Sequence, residues 1–153
     1  MGPGKAKSTE KKLAYQLGKL VAQQGAVLLT GGMGGIMEEA SRGAKEENGL
    51  VIAICPTYER EDVNKFVDIP IMTGMRGGRN YINILSSDIV IAIGHTSAGT
   101  LSEIAFAIQL EKPVIIMQAS TAMENYLSQF KARKLRFVKD IEGVQKLFLN
   151  KNF

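Results

Sequence analysis

The sequence predicts a three-layer, doubly wound α/β fold built on a mainly parallel sheet. Short apolar runs of strand length alternate with stretches of helical periodicity, and glycine-rich loops sit where strands pass into helices. A length of 153 residues, 45% apolar and 22% charged, suits one globular domain over residues 1–153.

The elements follow in order. Leu13, Leu17, Leu20 and Val21 recur at helical spacing and mark a helix over 8–24. Ser8 or Thr9 is placed to cap its start, and Gly25 sits where a left-handed C-terminal cap belongs. Residues 26–30 are a continuous apolar run, expected as a strand buried on both faces. Gly31, Gly32, Gly34 and Gly35 come next, then a helix over 36–47. A strand at 50–54 closes at Pro56, and 68–71 reads as a short edge strand. Helices at 81–85, 101–110, 121–131 and 141–149 alternate with strands at 88–93, 114–117 and 136–138. This alternation implies right-handed βαβ units, a Rossmann-like arrangement. One feature departs from it: Gly2-Pro3-Gly4 leads straight into a helix, as though a first central strand were missing or truncated.

Composition narrows the function classes. The net charge is +4, and the densest basic run (Lys131, Arg133, Lys134, Arg136, Lys139) has no aromatic side chains between its charges. It reads as a solvated face, so nucleic acid is not the expected partner. Cys55 and His95 are the only residues of their kinds, which argues against an intrachain disulfide and against a zinc site. No apolar run approaches the roughly 20 residues of a membrane helix, and the N-terminus has no hydrophobic signal region, so a cytoplasmic location is expected. The helix at 101–110 is apolar nearly all round after its first turn, which predicts cover by another subunit in a homo-oligomer, a dimer or tetramer.

In open parallel sheets ligands bind beyond the carboxyl ends of the strands. Two glycine loops fall there: Gly31, Gly32 and Gly34 after one strand, and Gly94, Thr96, Ser97, Gly99 and Thr100 after another. Such loops admit close backbone approach, and the helix starts behind them favour anions. Glu38 and Glu39 follow the first loop and oppose a phosphate, so the phosphate is assigned to the second loop and a sugar or base to the first. Arg76 and Arg79 with Asn80 lie at a helix start, where positive charge is unfavourable unless an anion faces it. Thr100 to Glu103 fits a capping box, and Glu103 fits equally well a carboxylate aimed at the ligand. No metal site is expected.

These segments resemble a known family. Residues 30–37, Ala44 and residues 51–56 are similar to the GGxxGxM…A…GGxVIGIxP pattern of the LOG-like proteins, a Rossmann family long taken for lysine decarboxylases. Arg79-Asn80 looks like its arginine motif, and residues 99–103 look like the tail of its PGGxGTxxE motif. The wording of residues 101–113 is most similar to a branch that includes molybdenum-cofactor carrier proteins. The resemblance implies a phosphoribohydrolase of nucleoside 5′-monophosphates, with Arg79 and Glu103 catalytic and the 94–100 loop on the phosphate. Where the family has Pro-Gly-Gly this chain has Gly94-His95-Thr96-Ser97, a change that leaves binding intact and counts against hydrolysis. Two readings therefore stand: a nucleotide-binding protein with hydrolase activity, or a non-catalytic carrier of a phosphorylated cofactor such as the molybdenum cofactor. No further cofactor is expected to be required. Lysine decarboxylation is disfavoured, since no lysine is placed for a pyridoxal phosphate Schiff base.

Overall fold

The structure is a computed structural model that describes residue 2 and residues 6–94 and 97–150. Its elements run α1 (Ser8–Gln23), β1 (Leu28–Thr30), α2 (Ile36–Glu46), β2 (Val51–Cys55), β3 (Ile69–Met72) and α3 (Arg79–Leu85). They continue with β4 (Val90–Ile93), α4 (Ala98–Gln109), β5 (Val114–Met117), α5 (Thr121–Ser128), β6 (Leu135–Val138) and α6 (Ile141–Asn150). Every strand pair is parallel. The strands form two three-stranded sheets, β1-β2-β3 and β4-β5-β6, where one continuous sheet was expected.

Three layers follow from the period-two alternation of the strands. Ile93, Ile115 and Met117 face a cluster with α1, α2 and α6, joined by Leu28 and Val138. Val90, Ala92, Val114 and Ile116 face the opposite cluster, with Ile84 of α3, Ile104 and Ala107 of α4 and Leu127 of α5. β5 is buried at all four positions, as its uninterrupted apolar run requires.

Helix ends decide where the loops open. Gly25 takes φ +68° just past α1, the expected left-handed cap. The start of that helix differs from expectation. Lys7 is the N-cap, its N–H donating to the Glu10 carboxylate at 2.8 Å, while Ser8 and Thr9 lie within the first turn. α4 begins three residues earlier than its apolar run suggests, because Ser97 caps it by accepting the Thr100 N–H at 3.2 Å. Thr100 is therefore inside the helix, and Glu103 makes no capping box.

α1 and α2 pack at backbone contact. A Cβ added at Gly18 would lie 2.8 Å from the carbonyl carbon of Ala40, and one at Gly43 would lie 2.9 Å from that of Tyr15.

Candidate functional site

The carboxyl ends of β1 and β4 carry the two glycine loops. In the first, Gly32 adopts φ +73°, and a Cβ there would meet Cys55 Sγ at 2.7 Å, so the turn requires glycine twice over. Thr30 Oγ1 accepts the Gly32 N–H at 3.1 Å. Asn64 ties the loop's carbonyls inward, its Nδ2 donating to Gly32 O at 3.0 Å and to Met33 O at 3.1 Å. Gly34 is exposed and has ample space around it, with Glu38 Oε2 3.8 Å from its added Cβ.

Arg79, the first residue of α3, lies against this first loop. A Cβ at Gly31 would fall 2.6 Å from its Cζ, so the guanidinium occupies the space that glycine leaves. Across from it stands Glu103 of α4, with Arg79 Nη1 to Glu103 Oε1 at 3.6 Å. Both side chains are about nine-tenths buried, at 11% and 10% exposed. Burial pushes the Glu103 carboxyl up, with Arg79 and a hydrogen bond from Asn83 pulling the other way. Burial likewise pulls Arg79 down against the attraction of Glu103. Each group loses more to desolvation than its partner returns. Among the described residues, Arg79 Nε and Asn83 Oδ1 are buried without a hydrogen-bond partner.

The second loop opens on Gly94, at φ +73°, with its Cα facing the Glu10 carboxyl group; a Cβ there would lie 2.7 Å from Glu10 Cδ. Thr96, like His95, lies outside the described residues. Ser97, Ala98 and Gly99 are exposed at the start of α4, which turns the helix's first amides to solvent. Thr100 is buried at 2% exposure, its hydroxyl 3.1 Å from that of Ser97. Asn80 joins α3 to α4, Nδ2 donating to Ser102 Oγ at 3.2 Å and facing Gly99 O at 3.5 Å.

Arg79 thus meets Gly31 and Glu103, Asn80 reaches Gly99, and Thr100 lies buried against Ser97. Arg76 does not join them. It is exposed at φ +49°, its N–H donates to Pro56 O at 3.0 Å, and its side chain makes no hydrogen bond or ion pair among the described residues. The Arg79 guanidinium rests against the first loop, because Gly31 leaves room for it there.

Several participants escaped the sequence reading. Asn64 clamps the first loop, Asn83 holds Glu103, and Lys7 and Glu10 stand beside Gly94. A hollow of about 400 Å³ at this edge is lined by Lys7, Glu10, Gly94, Gln118, Ser120 and Met123, and it does not include the Arg79–Glu103 pair. Its volume falls within the range of small-molecule sites. Gln118 and Ser120 were within reach of sequence reasoning, since they follow a strand at the ligand-binding edge.

With that geometry in hand, the likeness to known proteins is informative. The chain is 42% identical to the molybdenum cofactor binding protein from the phototrophic bacterium Rippkaea orientalis, with a TM-score of 0.93 over 99% of this chain and 93% of that one. It is 34% identical to the molybdenum cofactor carrier protein of Chlamydomonas reinhardtii, with a TM-score of 0.90 over 98% and 94% of the two chains. An uncharacterized protein of Archaeoglobus fulgidus is 40% identical over 124 residues, 81% of each chain. A family match covers residues 1–147, and the chain belongs to the SLOG cluster4 family.

Proposed function

We propose that this protein binds and carries a phosphorylated cofactor of the molybdenum-cofactor kind, and that it does not hydrolyse a glycosidic bond. Its likeness to two proteins described as binding or carrying that cofactor supports the cargo. One observation of the site carries the choice of carrier over enzyme. Glu103, the carboxylate a hydrolase would use, is 7% exposed and engaged with Arg79 and Asn83. Held by both, Glu103 fixes the guanidinium beside the glycine loops, a positioning role that carrying a cargo uses without turnover.

The residues present fit an anionic cargo. Ala98 and Gly99 are exposed where α4 begins, the Ser97 hydroxyl stands beside them, and Arg79 Nε has no partner among the described residues. Gly94, Thr96, Ser97, Gly99 and Thr100 would hold the phosphate, with Arg79 and Asn80 supporting the turn. Gly31, Gly32 and Gly34 would border the cargo, and the hollow beside Lys7 and Gln118 would take its larger, uncharged part. Arg76 contributes at most long-range attraction. The cargo brings its own metal chemistry; the chain's part is to orient and shield it.

Purification from cells that make the cofactor tests this. Molybdenum and pterin should copurify in near-equal amounts, and Gly99→Trp, which fills the open start of α4, should lose both. Absence of both from the unaltered protein, with release of free base from a nucleoside 5′-monophosphate, would establish the hydrolase instead.

The same reading includes a homo-oligomer. Leu101 of α4 is 42% exposed, beside Tyr81 and Leu85 of α3 at 41% and 53%. Tyr81 meets Phe106 edge to face at 5.2 Å, forming one apolar surface across both helices. A second copy covering it should give a dimer or larger species in light scattering at micromolar concentration. Leu101→Glu with Leu85→Glu should return the monomer, and a monomer without substitution would refute the assignment.

A further inference from the structure

A second hollow, of about 550 Å³, lies at the opposite edge of the molecule, where β5 and β6 begin. Val114 and Leu135, the first residues of those strands, form its floor together with Ile108 near the end of α4. All three belong to the apolar cluster under α4 and α5, so the floor is continuous with the core. The glycine loops leave the carboxyl ends of the strands, and the length of β5, about 10 Å, separates the two edges. This hollow is therefore distinct from the site of the cargo.

Its rim is basic. Lys112, Lys131, Arg133 and Lys134 line it, against one carboxylate, that of Glu111. Lys112 has a structural use, since its ammonium donates to Leu85 O at 3.0 Å and to Ser87 O at 2.7 Å. Arg136 has one too. Its Nη1 donates to Arg133 O at 2.7 Å and to Leu135 O at 3.0 Å, which fixes the turn that carries the other cations. Lys131, Arg133 and Lys134 have no such use. All three are exposed, and among the described residues their side chains make no hydrogen bond or ion pair, with Glu111 or any other group. The carboxyl ends of α4 and α5 attract cations here in part. That attraction does not require Lys131 itself, whose backbone takes φ +50° just past α5, a conformation that glycine adopts at less cost.

Phe130 completes the lining. It is 54% exposed, and Tyr126 meets it edge to face at 5.6 Å. An exposed ring beside an apolar floor, with unpaired cations around it, suits a ligand that is apolar on one side and anionic on the other. The volume is that of a small-molecule site. One ring is not the row of aromatic platforms on which a polynucleotide stacks.

We infer that this hollow binds a small amphipathic anion: a flat apolar body against Phe130 and the floor, bearing two or more phosphate or carboxylate groups that face Lys131, Arg133 and Lys134. Arg133 supplies a fork for two oxygens of one group, and the lysines act as point charges. Glu111, on the α4 side, turns the charged end of the ligand toward the segment between α5 and β6.

The test titrates pyranine, a flat aromatic trisulfonate whose sulfonates stand in for phosphate or carboxylate, with the full chain at low salt and follows fluorescence anisotropy. Binding should saturate with a dissociation constant in roughly the micromolar range. It should weaken about 10-fold in Phe130→Ala, and about 10-fold in Lys131→Gln combined with Arg133→Gln. These side chains are exposed, so thermal midpoints should move by less than about 3 °C. Gly99→Trp, at the other edge, should bind the probe as the unaltered chain does. Adenosine triphosphate and benzene hexacarboxylate as competitors tell whether phosphate or carboxylate is preferred, and displacement by neither overturns the proposal. So does the absence of saturable binding, full affinity in either variant of the hollow, or loss of binding in Gly99→Trp. Displacement by equimolar sulfate would reduce the site to charge alone, and equal displacement by a decaglutamate peptide would make it a surface for an acidic protein segment; either result overturns it as well.

Discussion

Replacing Arg79 alone by Met, or Glu103 alone by Leu, should each cost about 3–5 kcal/mol, while the double replacement should cost clearly less than the sum of the two, leaving only the buried Asn83 amide without its partner. The reasoning starts from the geometry. The two charges stand 3.6 Å apart, closer to a contact than to a hydrogen-bonded pair, with about a tenth of each side chain exposed. Burial moves both groups toward their neutral forms despite the attraction between them. Removing one partner leaves the other charge buried and uncompensated; removing both leaves apolar groups of similar volume. Urea unfolding of the four proteins gives the cycle, and a double variant as unstable as the sum of the singles would contradict it. The pH dependence has a definite sign. Because Glu103 is raised, the folded chain holds its proton more tightly than the unfolded chain does. That stabilisation is fully present below the ordinary carboxylate value and is lost as pH rises from there through the raised value. The double variant should lack this slope. Ionised Glu103 also offsets the field of Arg79, so anion affinity should fall over the same interval.

The same pair marks the limit of what the sequence makes legible. β5 could be read residue for residue, because a strand buried on both faces writes its environment as a continuous apolar run. Gly25 could be read because a left-handed cap is a local demand of the backbone. The start of α4 could not be settled in this way. Ser97 to Thr100 and Thr100 to Glu103 are both plausible capping patterns, and the choice between them depends on Arg79, 24 positions upstream of Glu103, which claims that carboxylate. Asn64 and Asn83 were invisible for a related reason, since each acts on a loop or helix remote in sequence. The entry of the chain straight into a helix already hints at an incomplete sheet, while the division of the described strands into two sheets comes only from the pairing itself.

Gly43→Ala is expected to destabilise the fold by about 1–3 kcal/mol, although alanine is the better helix former by up to about 1 kcal/mol. The added methyl would enter the backbone of α1 at Tyr15, and Gly18→Ala would enter α2 at Ala40, so neither clash can be relieved by turning a side chain. The helices would have to separate along a face where Ala14, Leu17, Ala40 and Ala44 are all buried. Gly77→Ala is the control: a Cβ there meets nothing within 4 Å, and its stability should change by less than about 0.5 kcal/mol. For a chain of this size each kcal/mol corresponds to roughly 2–4 °C in thermal midpoint, so the contrast between Gly43 and Gly77 is readily measured. The consequence reaches the site, because α2 begins where the first glycine loop ends and α1 begins against Gly94. Separating the two helices changes the spacing of the two loops. Gly43→Ala should therefore weaken retention of the cargo more than its loss of stability alone accounts for, measured at a temperature where both proteins remain folded. Full retention by that variant would show that the loops keep their spacing without the close contact of α1 and α2.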